Sequence, residues 1–517
     1  MMKTRKYTLA LLVQFFALSV YADVKLASPF GSHMVLQQGT KVPVWGTADA
    51  AEKITVSFLK QKVTTSADAN GQWKISLNKL AYGGPYTLTV SGKNTIVLND
   101  VYVGEVWVCS GQSNMDMTVA REDRYWCGVF NEKEEVAGAN YPTIRFFDVD
   151  FTPNEKLQNE VKGKWEVVSP QTVGHMSAAA YFFARDIQKK LGVPVGLITT
   201  AFGASTAEAW IRKEALEANP KFTYLLDTFH AKLKRYYADT AGQRKYALAY
   251  EKWKVDAAKA KAEGKDEVRG PRNPNPAVDQ HNPYVLWNGM VAPLVPYAIK
   301  GALWYQGESN GPTAKIYGDI METLITDWRA QWGSGAFPFI YVQLANHQKL
   351  VTEPVKDDQM VTVRHAQLQN LSIPNTAMVV AIDNANPGDP NDIHPKNKQD
   401  IGKRLALAAL GTVYKQKVVY SGPLFDKMKV EGSKVRLQFK HTGTGLMMKG
   451  DTLKGFAIAG PDKKFVHANA VIEGATIILS SAEVSNPSAV RYGWAKNPPV
   501  NLYNKEGLPA SPFKTDE

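Results

Sequence analysis

At 517 residues, 44% hydrophobic and 21% charged, the chain is globular and long enough for two or three domains. A formal net charge of +12 leans toward acidic partners. However, there is no zinc-finger spacing, no RNA-binding signature and no basic run with interleaved aromatics, so no nucleic-acid partner is expected.

Met1 to Ala22 reads as a secretory signal, with basic Lys3, Arg5 and Lys6, an apolar Leu9–Val20 and a small-residue site at Val20-Tyr21-Ala22. The apolar stretch is short for a membrane span, and no later stretch is apolar enough, so a soluble, secreted or periplasmic mature chain is expected. Residues 23–100 read as an N-terminal β-sandwich of short alternating runs separated by turns. Asn70-Gly71, between Val63–Ser66 and Trp73–Ile75, signals a hairpin.

The period changes over 101–414, the expected catalytic domain. Five apolar runs read as parallel strands: Val101–Val108, Val193–Thr200, Ile299–Tyr305, Phe337–Leu344 and Ala377–Ile382. Between them lie helical patterns at Ala178–Leu191, Ile316–Trp332, Val361–Leu371 and Lys398–Leu410. This alternation predicts an α/β fold, an open parallel sheet covered by helices on both faces. An insertion at about 213–282 reads as an exposed helical pair, either a peripheral decoration or a wall over the site. From 415 to 517 the pattern returns to β, a C-terminal β element packed on the core or on the sandwich. The two cysteines, Cys109 and Cys127, leave two options open: a disulfide, or a Cys109 buried as core.

Ligands of such a sheet bind beyond the carboxyl ends of its strands. The first strand leads into Cys109-Ser110-Gly111-Gln112-Ser113-Asn114-Met115, with Asp116, Met117 and Thr118 expected to begin a helix. Phe202-Gly203-Ala204-Ser205 follows the second strand, and Gln306-Gly307-Glu308-Ser309-Asn310 the third. After the fifth come Asp383 and the loop Gly388 to Pro395. Ester cleavage needs a nucleophile, a base and donors facing the oxyanion. Ser113 is the candidate nucleophile and His394 the candidate base. Asp392 is the nearest carboxylate to orient the histidine, with Asp383, Asp389 or a Ser–His dyad as alternatives. The Ser113 and Gly203 N–H groups would meet the oxyanion, with a side-chain amide from Gln306, or else Asn310, as third donor. His175 reads as a helix cap or a site residue, and Glu308 as a buried structural carboxylate or an acid in another chemistry. Trp126, Trp210 and Tyr305 are core or sugar-stacking aromatics. No phosphate loop, His-Glu-x-x-His or clustered metal ligands occur, so no cofactor or metal is expected.

Trp107–Met115, Trp304–Asn310, Asp392–Lys398, Leu286–Met290 with Ala292-Pro293-Leu294, and Phe202–Trp210 together resemble the sialate O-acetylesterase family of SGNH-type hydrolases. The resemblance spans most of the chain after the leader. It implies a flavodoxin-like catalytic domain, Ser113 as nucleophile, His394 as base, and removal of acetyl groups from carbohydrates without a metal. The sequence departs from the SGNH pattern at Asn391, where an Asp usually stands three residues before the His, and at Gly203-Ala204-Ser205, where Gly-Gly-Thr is usual. The acetylated sugar could be sialic acid or a plant polysaccharide such as xylan. The readings from other classes are a non-catalytic glycan-binding protein and a glycoside hydrolase built on Glu308.

Overall fold

The computed structural model describes residues 23–265, 268–354 and 358–516, so the leader expected at Met1–Ala22 lies outside the described residues. The catalytic sheet consists of β1 (Thr95–Gly111), β2 (Tyr141–Asp148), β3 (Trp165–Val168), β4 (Val195–Ala201), β5 (Gly301–Tyr305), β6 (Phe339–Gln343) and β7 (Thr376–Val380). They lie in the order β3-β2-β4-β1-β5-β6-β7, all neighbours parallel except the β3 edge. The five expected strands β1, β4, β5, β6 and β7 take the flavodoxin-like arrangement, second-first-third-fourth-fifth. β2 and β3 extend the sheet beyond the sequence expectation. In β2 the buried Arg145 interrupts the apolar run, its guanidinium paired with Asp100 at 3.0 Å and lying over the Tyr102 ring.

The strands are apolar on both sides because both faces are covered. Val106 and Val108 of β1 enter one core with Trp304, Trp328 and Tyr341. Trp107 and Cys109 point to the other, with Phe183 and Leu405. Helices α1 (Ala178–Leu191) and α6 (Lys398–Thr412) pack together on the second face, while α4 (Tyr317–Trp332) and α5 (Gln359–Gln369) cover the first. Each fully buried Phe or Leu there contributes roughly 1.5–3 kcal/mol. Of the insertion, α2 (Thr223–Ala238) buries Leu226 and Phe229, whereas α3 (Thr240–Ala262) buries Ala260 alone.

β1 belongs to two sheets at once. Its first half pairs with Gly83–Ser91 and Val35–Gln37 of the N-terminal sheets, its second half with β4 and β5. Accordingly Ile54, Val56 and Trp73 share one hydrophobic core with the face of the catalytic sheet. The hairpin expected at Asn70-Gly71 does not form. Gly71 does turn the chain at φ 73°, and the Asp68 carboxylate accepts from the Asn70 and Gln72 N–H groups. Yet Gln61–Ser66 pairs with Lys53–Phe58, and Gln72–Leu77 with Val42–Thr47, so the turn carries the chain from one sheet to another.

The C-terminal β element builds its own core around Leu437, Phe456, Tyr492 and Phe513, and packs against α5 and the end of β6. There Gln343 Nε2 donates to Ser511 Oγ at 2.9 Å, and the Arg364 guanidinium to Ala495 O and Lys496 O, each at 2.8 Å. Cys109 and Cys127 are both buried free thiols. Among the described residues no helix is long and apolar enough to cross a membrane, and no group of three or more His, Cys, Asp or Glu is placed to hold a metal ion.

Candidate active site

β1 ends at Gly111, φ 143°, where a Cβ would stand 2.2 Å from Tyr305 O. Glycine thus lets β1 and β5 approach at their carboxyl ends, where the sheet's order reverses. A single helical turn follows at Ser113–Asp116, and it stops at Met117 (ψ 122°), just where the sequence suggested a helix would begin. The start of α1 buttresses this turn: Ser177 Oγ donates to Met115 O at 2.6 Å, and the Ala178 N–H to Met117 O at 2.8 Å.

His394 lies 281 positions further on, in the loop between β7 and α6, with its Nε2 2.9 Å from Ser113 Oγ. Its Nδ1 faces Asp392 Oδ1 at 3.3 Å, and the same oxygen accepts the His394 N–H at 2.9 Å. Asn386 Nδ2 holds the other Asp392 oxygen at 2.9 Å. The alternative carboxylates are engaged elsewhere. Asp383 accepts both arms of Arg404, at 2.7 and 2.9 Å, and the Tyr503 hydroxyl at 3.1 Å. Asp389 accepts the Asn391 N–H within its own turn. Burial, with the Lys398 charge adding to it, pushes the His394 imidazole down to about 4 against the pull of Asp392. The Trp126 ring lies over it, centroids 4.8 Å apart.

Gly203 sits beside the serine, where a Cβ would come 3.8 Å from Ser113 Cβ. The expected third oxyanion donor is not supplied by Gln306 or Asn310. Gln306 Nε2 gives its two hydrogens to Ser205 O (3.0 Å) and Asn310 Oδ1 (2.6 Å). Asn310 Nδ2 gives its own to Glu208 Oε2 (2.8 Å) and Thr313 Oγ1 (2.9 Å). Both residues are fully buried, and their amides brace the loops after β4 and β5 against each other.

Other candidates separate clearly. Trp210 and Tyr305 are fully buried core. His175 pairs with Glu166 at 3.1 Å and meets the edge of Phe146. Residues the sequence reading passed over also gather here. Asp116 Oδ2 would lie 3.9 Å from a Cβ on Gly203 and pairs with Arg124 at 2.9 Å. Burial pushes the Asp116 carboxyl up to about 6, and burial together with Asp116 pushes Asp148, at the end of β2, up to about 7. Asn114, Asn386 and Lys398 bind the histidine loop from beneath. The signal for them was position alone, since each is a polar residue next to the serine turn or in the loop and helix start around the histidine.

Residues 103–242 and 286–411 match the profile of the SASA family, described as carbohydrate esterase, sialic acid-specific acetylesterase. The sialate O-acetylesterases of Rattus norvegicus and Homo sapiens are each 28% identical to the chain, over 95% of it and 94% and 92% of their own lengths. The crystal structure of a carbohydrate acetylesterase from Xanthomonas citri is similar with a TM-score of 0.78 and 33% identity, covering 95% of this chain and 99% of that one. The chain belongs to the SASA family of carbohydrate esterases and is a hydrolase of the carbohydrate acetylesterase class.

Proposed function

We propose that this enzyme removes O-acetyl groups from carbohydrates through an acyl-enzyme formed on Ser113. The observation that carries this reading is the 2.9 Å contact between Ser113 Oγ and His394 Nε2, with Asp392 behind the imidazole. A neutral imidazole with its Nδ1–H toward Asp392 leaves the Nε2 lone pair to take the serine proton. Ser113 Oγ then attacks the acetyl carbonyl, and the tetrahedral oxyanion is met by the Ser113 and Gly203 N–H groups. His394 returns the proton to the departing sugar oxygen. Water, deprotonated by the same imidazole, releases acetate and restores Ser113.

The family points to acetylated sialic acid as the first substrate to test. An acetylated neutral polysaccharide such as xylan is the second, favoured by the Asp116 carboxyl near Gly203, which suits sugar hydroxyls better than a sugar carboxylate. The leader expected at Met1–Ala22 makes the mature enzyme secreted or periplasmic, which N-terminal sequencing of the exported protein checks.

Acetate release should be compared across acetylated sialic acids and acetylated xylan, for the natural chain and Ser113→Ala. The variant is expected to lose activity on every ester while keeping its fold by circular dichroism. Turnover at the natural rate by Ser113→Ala would remove the serine from the mechanism.

A further inference from the structure

Beneath the site, three consecutive carbonyls of the histidine loop each receive a side-chain N–H. Asn114 Nδ2 donates to Ile393 O at 3.0 Å, Asn386 Nδ2 to His394 O at 3.0 Å, and Lys398 Nζ to Pro395 O at 2.5 Å. Asn114 directly follows Ser113. Its bond to Ile393 therefore ties the residue after the serine to the residue before the histidine. Lys398 Nζ also donates to Asn114 Oδ1 at 2.8 Å, and Asn114 Nδ2 to Glu308 Oε1 at 2.6 Å, which extends the line into the loop after β5.

These groups are sealed from water. Asn114 and Lys398 are 1% and 0% exposed, and Glu308 Oε2 is buried with no hydrogen-bond partner. An ammonium and a carboxyl held indoors, bridged by an amide rather than touching, cost stability. The arrangement calls for a return other than packing, and its geometry supplies one. Each member grips either the serine turn, the histidine loop, or the residue joining them.

We infer that Asn114, Lys398 and Glu308 form a buried clamp that sets the separation of Ser113 and His394, making them positioning residues for acyl transfer. The inference rests on the Ser113–His394 reading. Three consequences follow from the connectivity. Asn114 is the hinge pin, because it follows Ser113 in the serine turn and its own amide donates to the histidine loop. Lys398 fixes the carbonyl after the histidine and presents its charge to the imidazole, which disfavours the imidazolium and keeps the base ready. Glu308 anchors Asn114 from the loop after β5.

The charges facing each member are mixed. His394 is influenced by Lys398, Asp392 and His347. Lys398 sees Glu308, Asp392, Cys127 and Lys396, and burial pushes it down to about 7. Glu308 sees Lys398 and Arg364, and burial raises it.

The test uses the full chain with 4-nitrophenyl acetate as probe, comparing Lys398→Met and Asn114→Asp across the pH range. Asn114→Asp keeps the acceptor for Lys398 and loses both donations, to Ile393 O and to Glu308. For either variant kcat is expected to fall roughly 100-fold, the cost of a misplacement of about 1 Å, with KM little changed. In Lys398→Met the acidic limb of the profile also moves to higher pH, because the repelling charge is gone. Should Lys398→Met fail to fold, Asn114→Asp and Asn114→Ser carry the same kcat-against-KM split. Natural kcat in the folded variants overturns the clamp, as does an unmoved acidic limb in folded Lys398→Met. Ser113→Ala is run alongside. If it still turns over, the Ser113–His394 reading falls and the clamp falls with it. If it is dead while the clamp variants behave as the natural chain, the clamp alone falls.

Discussion

A histidine can serve as base only while neutral, so the role proposed for His394 depends on what surrounds its ring. Burial is the largest influence, and Lys398 adds to it, so protonation is deferred to about pH 4 rather than the ordinary 6.5. As pH falls through that value the imidazole gains a proton and can no longer take one from Ser113. kcat/KM is therefore expected to stay nearly level from pH 7 down past 6, then drop tenfold per unit below about 4. A pH series with a neutral acetyl ester checks this, and a limb near 6.5 would show that the ring is better hydrated than its surroundings imply. The meeting of Ser113, His394 and Asp392 in one candidate site was legible because strand ends and turn-forming residues announce where a sheet presents polar groups. Gln306 and Asn310 were misread because an amide's type says nothing about whether its hydrogens are already given away. Lys398 was hidden for the converse reason, since a lysine opening an amphipathic helix looks solvated until the loop above it is placed.

At the scale of elements, the helices α1, α4, α5 and α6 were readable from their apolar spacing, and the five flavodoxin-like strands from their unbroken apolar runs. β2 was not, because Arg145 finds its partners, Asp100 and Tyr102, only in the folded sheet. The Asn70-Gly71 turn shows the limit of local signals: the dipeptide reverses the chain but does not choose the partner strand. The junction of β1 with β5 carries a sharper expectation. Replacing Gly111 by Ala puts a Cβ 2.2 Å from Tyr305 O at a backbone angle unfavourable to any side chain. A loss of about 3 kcal/mol or more in denaturant unfolding is expected. Residual folded enzyme should also turn over slowly, since pushing β1 from β5 displaces Ser113. An unaltered unfolding midpoint would mean the strands can part there freely.

On the scale of the whole molecule, the N-terminal sheets and the catalytic sheet are joined by a strand and by a core, not merely by a linker. Deleting residues 23–94 strips the first half of β1 of its partners and opens the hydrophobic core that contains Ile54, Val56 and Trp73. Such a truncated chain is expected to aggregate on expression rather than yield a smaller active esterase, which size-exclusion chromatography and ester hydrolysis would reveal. A soluble, active product would show that the catalytic sheet holds its shape unaided.

The double membership of β1 also imposes an order on assembly. A chain delivered from its amino end completes the outer half of this strand early, against Gly83–Ser91. The inner half then waits, apolar on both sides, until Val195–Ala201 arrives and finally Gly301–Tyr305 closes around it. Throughout that interval the unfinished chain offers an apolar, unpaired ribbon that leads directly into Ser113, so the stretch most exposed to aggregation during folding adjoins the candidate nucleophile.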